Sequence, residues 1–109
     1  MKINELRDAL NLRVLSEGDT EREISGGYCG DLLSFVMGRC PADSVWVTIM
    51  NNVNVLAVAS LADAAAVILA EDTEPDEAVL AKARAEELNL YTSSMTAFEL
   101  CGKLYALLA

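Results

Sequence analysis

Few residues in this sequence can do chemistry, and their spacing narrows the choices further. There is no His, so there is no imidazole base and no Ser–His or Cys–His pair. Acids are plentiful, but none lies in an apolar run that would raise its pKa for acid–base work. Asp63 comes nearest, and a role at a helix start accounts for it. Glu71-Asp72-Thr73-Glu74 groups three acids, yet it runs straight into Pro75-Asp76-Glu77, which reads as helix-start chemistry rather than a metal site. The three cysteines, Cys29, Cys40 and Cys101, are odd in number, widely spaced and form no C-x-x-C, which argues against zinc and against a disulfide framework. They read as small apolar residues of a reducing cytoplasm. No catalytic residue, metal or cofactor is expected.

The remaining candidate is a glycine pair, Gly26-Gly27. Two adjacent glycines mark a place where only a missing Cβ will do, through positive φ or close approach. They read as the end of a short strand. A helix from Asp31 to Met37 follows, with Cys29, Leu32, Leu33, Val36 and Met37 on one face. A glycine turn before a helix can bind an anion. Gly26-Gly27 nevertheless falls far short of G-x-G-x-x-G, and no G-x-x-x-x-G-K-[ST] occurs.

The elements that position these residues follow from periodicity. Ile3, Leu6 and Leu10 predict an opening helix, and Leu12–Leu15 a brief strand. Val45–Met50, almost wholly apolar, predicts a central strand covered on both faces. The polar turn Asn51-Asn52-Val53-Asn54 leads to Val55–Ala59, read as the next strand. Ser60-Leu61-Ala62-Asp63 reads as the start of a short helix before a strand at Val67–Leu69. A helix is expected from Pro75 to Leu88, a strand at Leu90–Thr92, and a last helix capped by Thr96. Phe98, Cys101, Leu104, Tyr105 and Leu108 line its stripe, which Leu100 and Leu107 widen. So wide a stripe predicts a homodimer contact through Leu100, Leu104 and Leu107.

The whole predicts one α/β domain over residues 1–109, three-layered α/β/α with a mostly parallel sheet. The apolar fraction of 53% suits it, since such content exceeds the roughly 45–50% of average domains. Net charge is −9, which disfavours nucleic acid and anionic membrane surfaces. Val53–Ala70 is broken by Asn54, Ser60 and Asp63 and makes a poor membrane span. The amino-terminal run does not read as a signal peptide, so a cytoplasmic protein is expected. Ligands in such sheets sit beyond the strand carboxyl ends. These are read as Ser25-Gly26-Gly27, Met50-Asn51-Asn52, Ser60, Glu71-Asp72 and Thr92-Ser93-Ser94.

Glu21-Arg22-Glu23-Ile24-Ser25-Gly26-Gly27-Tyr28, continued by Gly30–Ser34 and Val36-Met37, resembles the DRTGG domain family. Val45–Ile49, Val55–Leu61, Pro75-Asp76, Thr96–Leu100 and Gly102-Lys103-Leu104 carry the likeness along nearly the whole chain. The name-giving residues fall on Glu21, Arg22, Ser25, Gly26 and Gly27, with Glu21 and Ser25 as conservative departures. The resemblance implies a domain similar to the amino-terminal domain of HPr kinase/phosphorylase. It further implies a regulatory and subunit-contact module of the kind found beside CBS domains in regulatory pyrophosphatases and inside long phosphotransacetylases. A nucleotide-like or other small ligand at the strand ends would meet Arg22, Ser25, Gly26, Gly27, Thr48, Asn51, Asn54, Ser60, Thr92 and Ser93. The alternatives are a small phosphoryl-transfer or HPr-kinase-related enzyme, which the missing P-loop disfavours, and an adaptor docking on a larger metabolic enzyme.

Overall fold

The computed structural model describes residues 1–109. Ten elements follow in order: α1 (Ile3–Ala9), β1 (Arg13–Ser16), β2 (Gly26–Cys29), α2 (Leu33–Arg39) and β3 (Ser44–Thr48), then α3 (Asn54–Leu61), β4 (Ala66–Leu69), α4 (Glu77–Ala85), β5 (Leu90–Thr92) and α5 (Ala97–Leu108). The sheet order is β1-β5-β4-β3-β2. Strands β2 to β5 are parallel neighbours, and β1 closes one edge antiparallel to β5. Parallel neighbours need crossovers, and α2, α3 and α4 supply them. This is the expected three-layer α/β architecture.

Alternation along the central strands fills both layers. Val45 and Val47 of β3 point to the face covered by α1 and α5, with Ile3, Leu6, Leu100 and Leu104. Trp46 points to the face covered by α2, α3 and α4, with Val36, Leu56, Val79 and Ala83. Every residue of β3 and β4 is buried, as a strand covered on both sides requires. Trp46 is fully buried and donates its indole N–H to Gly30 O at 2.9 Å, which satisfies its one polar atom.

Several expectations are corrected. Val55–Ala59 is not a strand but the body of α3, with Val55, Leu56, Val58 and Ala59 buried. That spacing is helical. A short apolar run fits either element, and here the crossover between parallel β3 and β4 decides. Ser60 therefore lies near the end of α3, not at a helix start, and Asp63 leaves the helix with φ 55°. The glycine pair opens β2 instead of closing a strand, and no glycine has positive φ. Helix α2 begins at Leu33, two residues later than expected. Asp31 instead accepts from Thr48 Oγ1 at 2.7 Å and from Ile49 N at 3.0 Å. Leu32 and Met37 are exposed, not on a buried face. Helix α4 is capped by Asp76, which accepts from Val79 N at 3.0 Å, so Pro75 precedes the cap. The helix stops at Ala85, short of Leu88, and Glu87 turns away with φ 55°.

Helix α5 corrects the expected interface. Leu100 and Leu104 are 0% and 4% exposed and belong to the core, while Leu107 is 38% exposed. Phe98 and Tyr105, expected on the inward stripe, face outward at 90% and 78%. The true inward line is Ala97, Leu100, Cys101, Leu104 and Leu108.

Two glycines predict opposite effects of the same substitution. A Cβ on Gly18 would stand 1.8 Å from Glu87 O, so the β1–β2 loop needs glycine to reach the turn after α4. Gly102 lies in α5 with open space around it. Gly18→Ala is expected to lower stability by about 2–3 kcal/mol, and Gly102→Ala to raise it by about 0.5–1 kcal/mol. Urea unfolding of both variants measures the difference.

Candidate functional site

The motif segment is anchored through Arg22. Its Nε donates to Asp43 Oδ1 at 2.9 Å, Nη1 to Ala64 O at 3.3 Å, and Nη2 to Asp63 O and Oδ1 at 2.8 and 2.9 Å. Partial burial opposes the charge, but the hydrogen bonds to Asp43 and Asp63 outweigh it and hold the guanidinium above its usual value. Asp43 and Asp63 precede β3 and β4, and both have positive φ, 63° and 55°. Asp tolerates that conformation because its short carboxylate finds local partners. Here Arg22 is the partner to both.

The neighbouring residues extend the same stitching. Ser25 N donates to Asp43 O at 2.9 Å, and Ser25 Oγ to Ala42 O at 2.7 Å. Asp43 N donates to Asp63 O at 2.9 Å. Glu21 accepts from Lys2 Nζ at 2.8 Å and from Asn4 Nδ2 at 3.0 Å, fixing the segment to the start of α1. The hydrogen bond and charge of Lys2 hold Glu21 below the usual carboxylate value, and Glu21 in turn raises Lys2. Gly26 and Gly27 pair in register with Ser44 and Val45, the first residues of β3. Arg22, Ser25 and the glycines thus sit at the amino ends of the strands, opposite to the end expected.

The expected ligand residues therefore fall into separate groups. Arg22 and Ser60 line a hollow of about 160 Å3 beside α3. Ser25, Gly26 and Gly27 line a cavity of about 410 Å3 between β2 and α5. Thr48 ends β3, Asn51 and Asn54 lie beyond its carboxyl end, and the Thr48 and Asn51 side chains are committed there. Thr48 is held by Asp31, Asn51 Nδ2 donates to Glu74 O at 2.9 Å, and Asn54 N donates to Asn52 Oδ1 at 3.0 Å.

Thr92 and Ser93 belong to a third place, a polar cavity of about 470 Å3 at the carboxyl end of β5. Asn11, Arg13, Asp72, Ser94, Met95 and Lys103 complete much of its lining. Thr92 Oγ1 donates to Thr73 O at 2.9 Å, and Ser93 Oγ accepts from Met95 N at 3.2 Å. The Ser94 hydroxyl and the Asn11 side chain make no hydrogen bond within the protein and are exposed to the cavity mouth. Arg13 pairs with Glu74, and Lys103 reaches Glu99 loosely at 3.8 Å. The sequence did not single out Asn11 or Arg13 for this place, and it gave Lys103 no ligand role. The antiparallel pairing of Arg13 with Thr92 brings two distant segments together, and no local pattern announces it.

A polar cluster lies between α1 and β5. Arg7 Nη1 and Tyr91 Oη both donate to Glu17 Oε2 at 2.7 Å. The hydrogen bonds to Asp8 and Glu17 raise Arg7. Burial, then the Glu17 hydrogen bond, pushes the Tyr91 phenol well above its usual value. Burial likewise raises the Cys40 thiol. No group of three or more metal-ligating side chains converges anywhere in the chain.

The fold has a solved counterpart. The chain is similar to the crystal structure of the CBS and DRTGG domains of the regulatory region of a Clostridium perfringens pyrophosphatase, complexed with the activator diadenosine tetraphosphate. The TM-score is 0.71 at 8% identity, over 95% of this chain and 45% of that one. At that identity the likeness establishes the α/β fold, and the chain spans about half the length of its counterpart. No protein-family model matches the sequence. No curated protein matches it either. No helix is long and apolar enough to cross a membrane.

The raised Tyr91 pKa fixes a pH dependence. Below the ordinary tyrosine value of about 10 both folded and unfolded chains keep the proton, and nothing is lost. Above it the unfolded chain ionises first, so stability falls as pH rises. Urea midpoints measured between neutral pH and strongly alkaline pH are expected to fall, and Tyr91→Phe to flatten the alkaline part of that fall.

Proposed function

We propose that this chain is a non-catalytic regulatory module of the DRTGG type, which senses a small ligand at the carboxyl end of β5. The observation that carries the reading is the polar cavity beside Thr92, Ser93 and Ser94. It lies where parallel α/β sheets bind ligands. It also gathers two cationic side chains, an amide and hydroxyls around a space large enough for a small molecule. The similarity of fold to a nucleotide-activated regulatory region supports the regulatory part of this reading. A nucleotide-like ligand is the first class to test.

The motif residues take a structural part in this proposal. Four N–H directions of Arg22 are already used inside the protein, which leaves little for a ligand. Contact with a second copy, or with a larger enzyme, falls to the flank of α5 beside β2. There Phe98 and Tyr105 are exposed on the helix that packs against the edge strand β2. A phosphoryl-transfer role finds no P-loop, and no group of side chains arranged for it.

Thermal shift and calorimetric titration against nucleotides, diadenosine tetraphosphate and small metabolites test the proposal, with light scattering on the same samples for mass. The wild-type chain is expected to gain several degrees with at least one compound. Ser94→Trp, which fills the exposed mouth of the cavity, is expected to abolish that gain without lowering the unliganded midpoint. A ligand whose effect survives Ser94→Trp unchanged would place the site elsewhere, and a strict monomer would remove the contact role of α5.

A further inference from the structure

Two of the three cysteines are brought together by the fold. Strand β2 is an edge strand, and its register sets Gly27 against Val45 and Cys29 against Val47. Val45 and Val47 face the layer of α1 and α5, so Gly27 and Cys29 face it too. Helix α5 crosses directly over them. A Cβ on Gly27 would lie 3.1 Å from Leu104 Cδ2, so the missing side chain is what lets the helix settle close to the strand. Cys101 lies three residues before Leu104, packed on the same core.

Cys29 and Cys101 therefore line one cavity, of about 410 Å3, together with Gly27, Val47, Leu104 and Tyr105. Cys29 is exposed and Cys101 half-buried. Burial, followed by the neighbouring Cys29 thiol, pushes Cys101 up to about 12. Cys40 is apart from them, buried in the opposite layer with its thiol directed at Pro41 O. No third Cys, nor any Asp or Glu, joins the pair as a metal ligand.

We propose that Cys29 and Cys101 form a reversible disulfide, a modification site for hydroperoxides that ties α5 to the β2 edge. The exposed Cys29 reacts first. Its thiolate attacks one peroxide oxygen, the O–O bond breaks, and the other oxygen leaves with a proton as water or an alcohol. Cys29 is then a sulfenic acid. The Cys101 sulfur displaces its hydroxyl, the S–S bond forms, and the hydroxyl leaves as water with the Cys101 proton. Two thiols have lost two electrons and two protons, and the peroxide has taken up both. A small dithiol reverses the step by exchange. The bridge closes a loop over most of the chain, so the oxidised form melts higher than the reduced one. It also narrows the cavity between strand and helix.

Trypsin separates the three thiols, because Arg22, Arg39, Lys82, Arg84 and Lys103 place them on residues 23–39, 40–82 and 85–103. The reduced full chain is treated with stoichiometric hydrogen peroxide, alkylated, and mapped without reductant. Residues 23–39 are expected to be joined to 85–103 within a monomer, with Cys40 alkylated and dithiothreitol restoring the free thiols. Cys101→Ser is expected to halt at a Cys29 sulfenic acid trapped by dimedone. If Cys29 in the wild-type chain instead accumulates as sulfinic acid or links two chains while Cys101 stays alkylated, the proposal is overturned. The wild-type map decides even where a variant folds poorly.

Discussion

The double anchorage of Arg22 is the contact on which the amino end of the sheet depends. One guanidinium ties the segment before β2 to Asp43 before β3 and to Asp63 before β4. Both aspartates sit in left-handed backbone, a conformation that costs an ordinary side chain on the order of 1 kcal/mol. Isolated surface ion pairs are worth little. This one differs because the same cation also meets two carbonyls, those of Asp63 and Ala64, in a planar fork. Lysine has no such fork. Three parallel strands thereby start in fixed register, and the apolar alternation of β3 then fills both layers correctly.

The glycines serve the same end in another way. Gly26 and Gly27 form the first half of an edge strand, and the bare backbone at Gly27 lets Leu104 approach. Close seating of α5 on β2 buries Leu100 and Leu104 and brings Cys101 toward Cys29. A motif that invites a ligand-binding interpretation is thus occupied with holding strands and a helix in place. The open polar groups lie at the other end of the sheet, where β5 delivers Thr92 and Ser93 beside Arg13 and Lys103.

Much of this fold is legible in the residues, and the failures have physical causes. Val45–Met50 and Val67–Leu69 are almost wholly apolar runs, and each supplies a strand covered on both faces, although β3 ends at Thr48 and leaves Ile49 half exposed. Thr96 caps α5 as its spacing with Glu99 implies, accepting from Glu99 N at 3.2 Å. Val55–Ala59 misleads because five apolar residues carry neither period clearly, and topology alone made them helical. The phase of α5 misleads because its apolar residues surround more than half the helix. Which of them turn inward depends on β2, a partner far away in sequence. The reversed position of the glycine pair has the same origin, since Ser44 and Val45 fix it. Arg22 has no visible partner in its own segment, for its carboxylates lie 21 and 41 residues away.

A double-mutant cycle on Arg22 tests the anchorage most directly. Arg22→Ala is combined with Asp63→Asn, which keeps the tolerance for left-handed backbone and removes the charge. Unfolding free energies are then taken for all four proteins. The account predicts a coupling of about 1–2 kcal/mol, above the few tenths expected of independent sites. Additive effects, with Arg22→Ala alone costing no more than an exposed arginine, would contradict it.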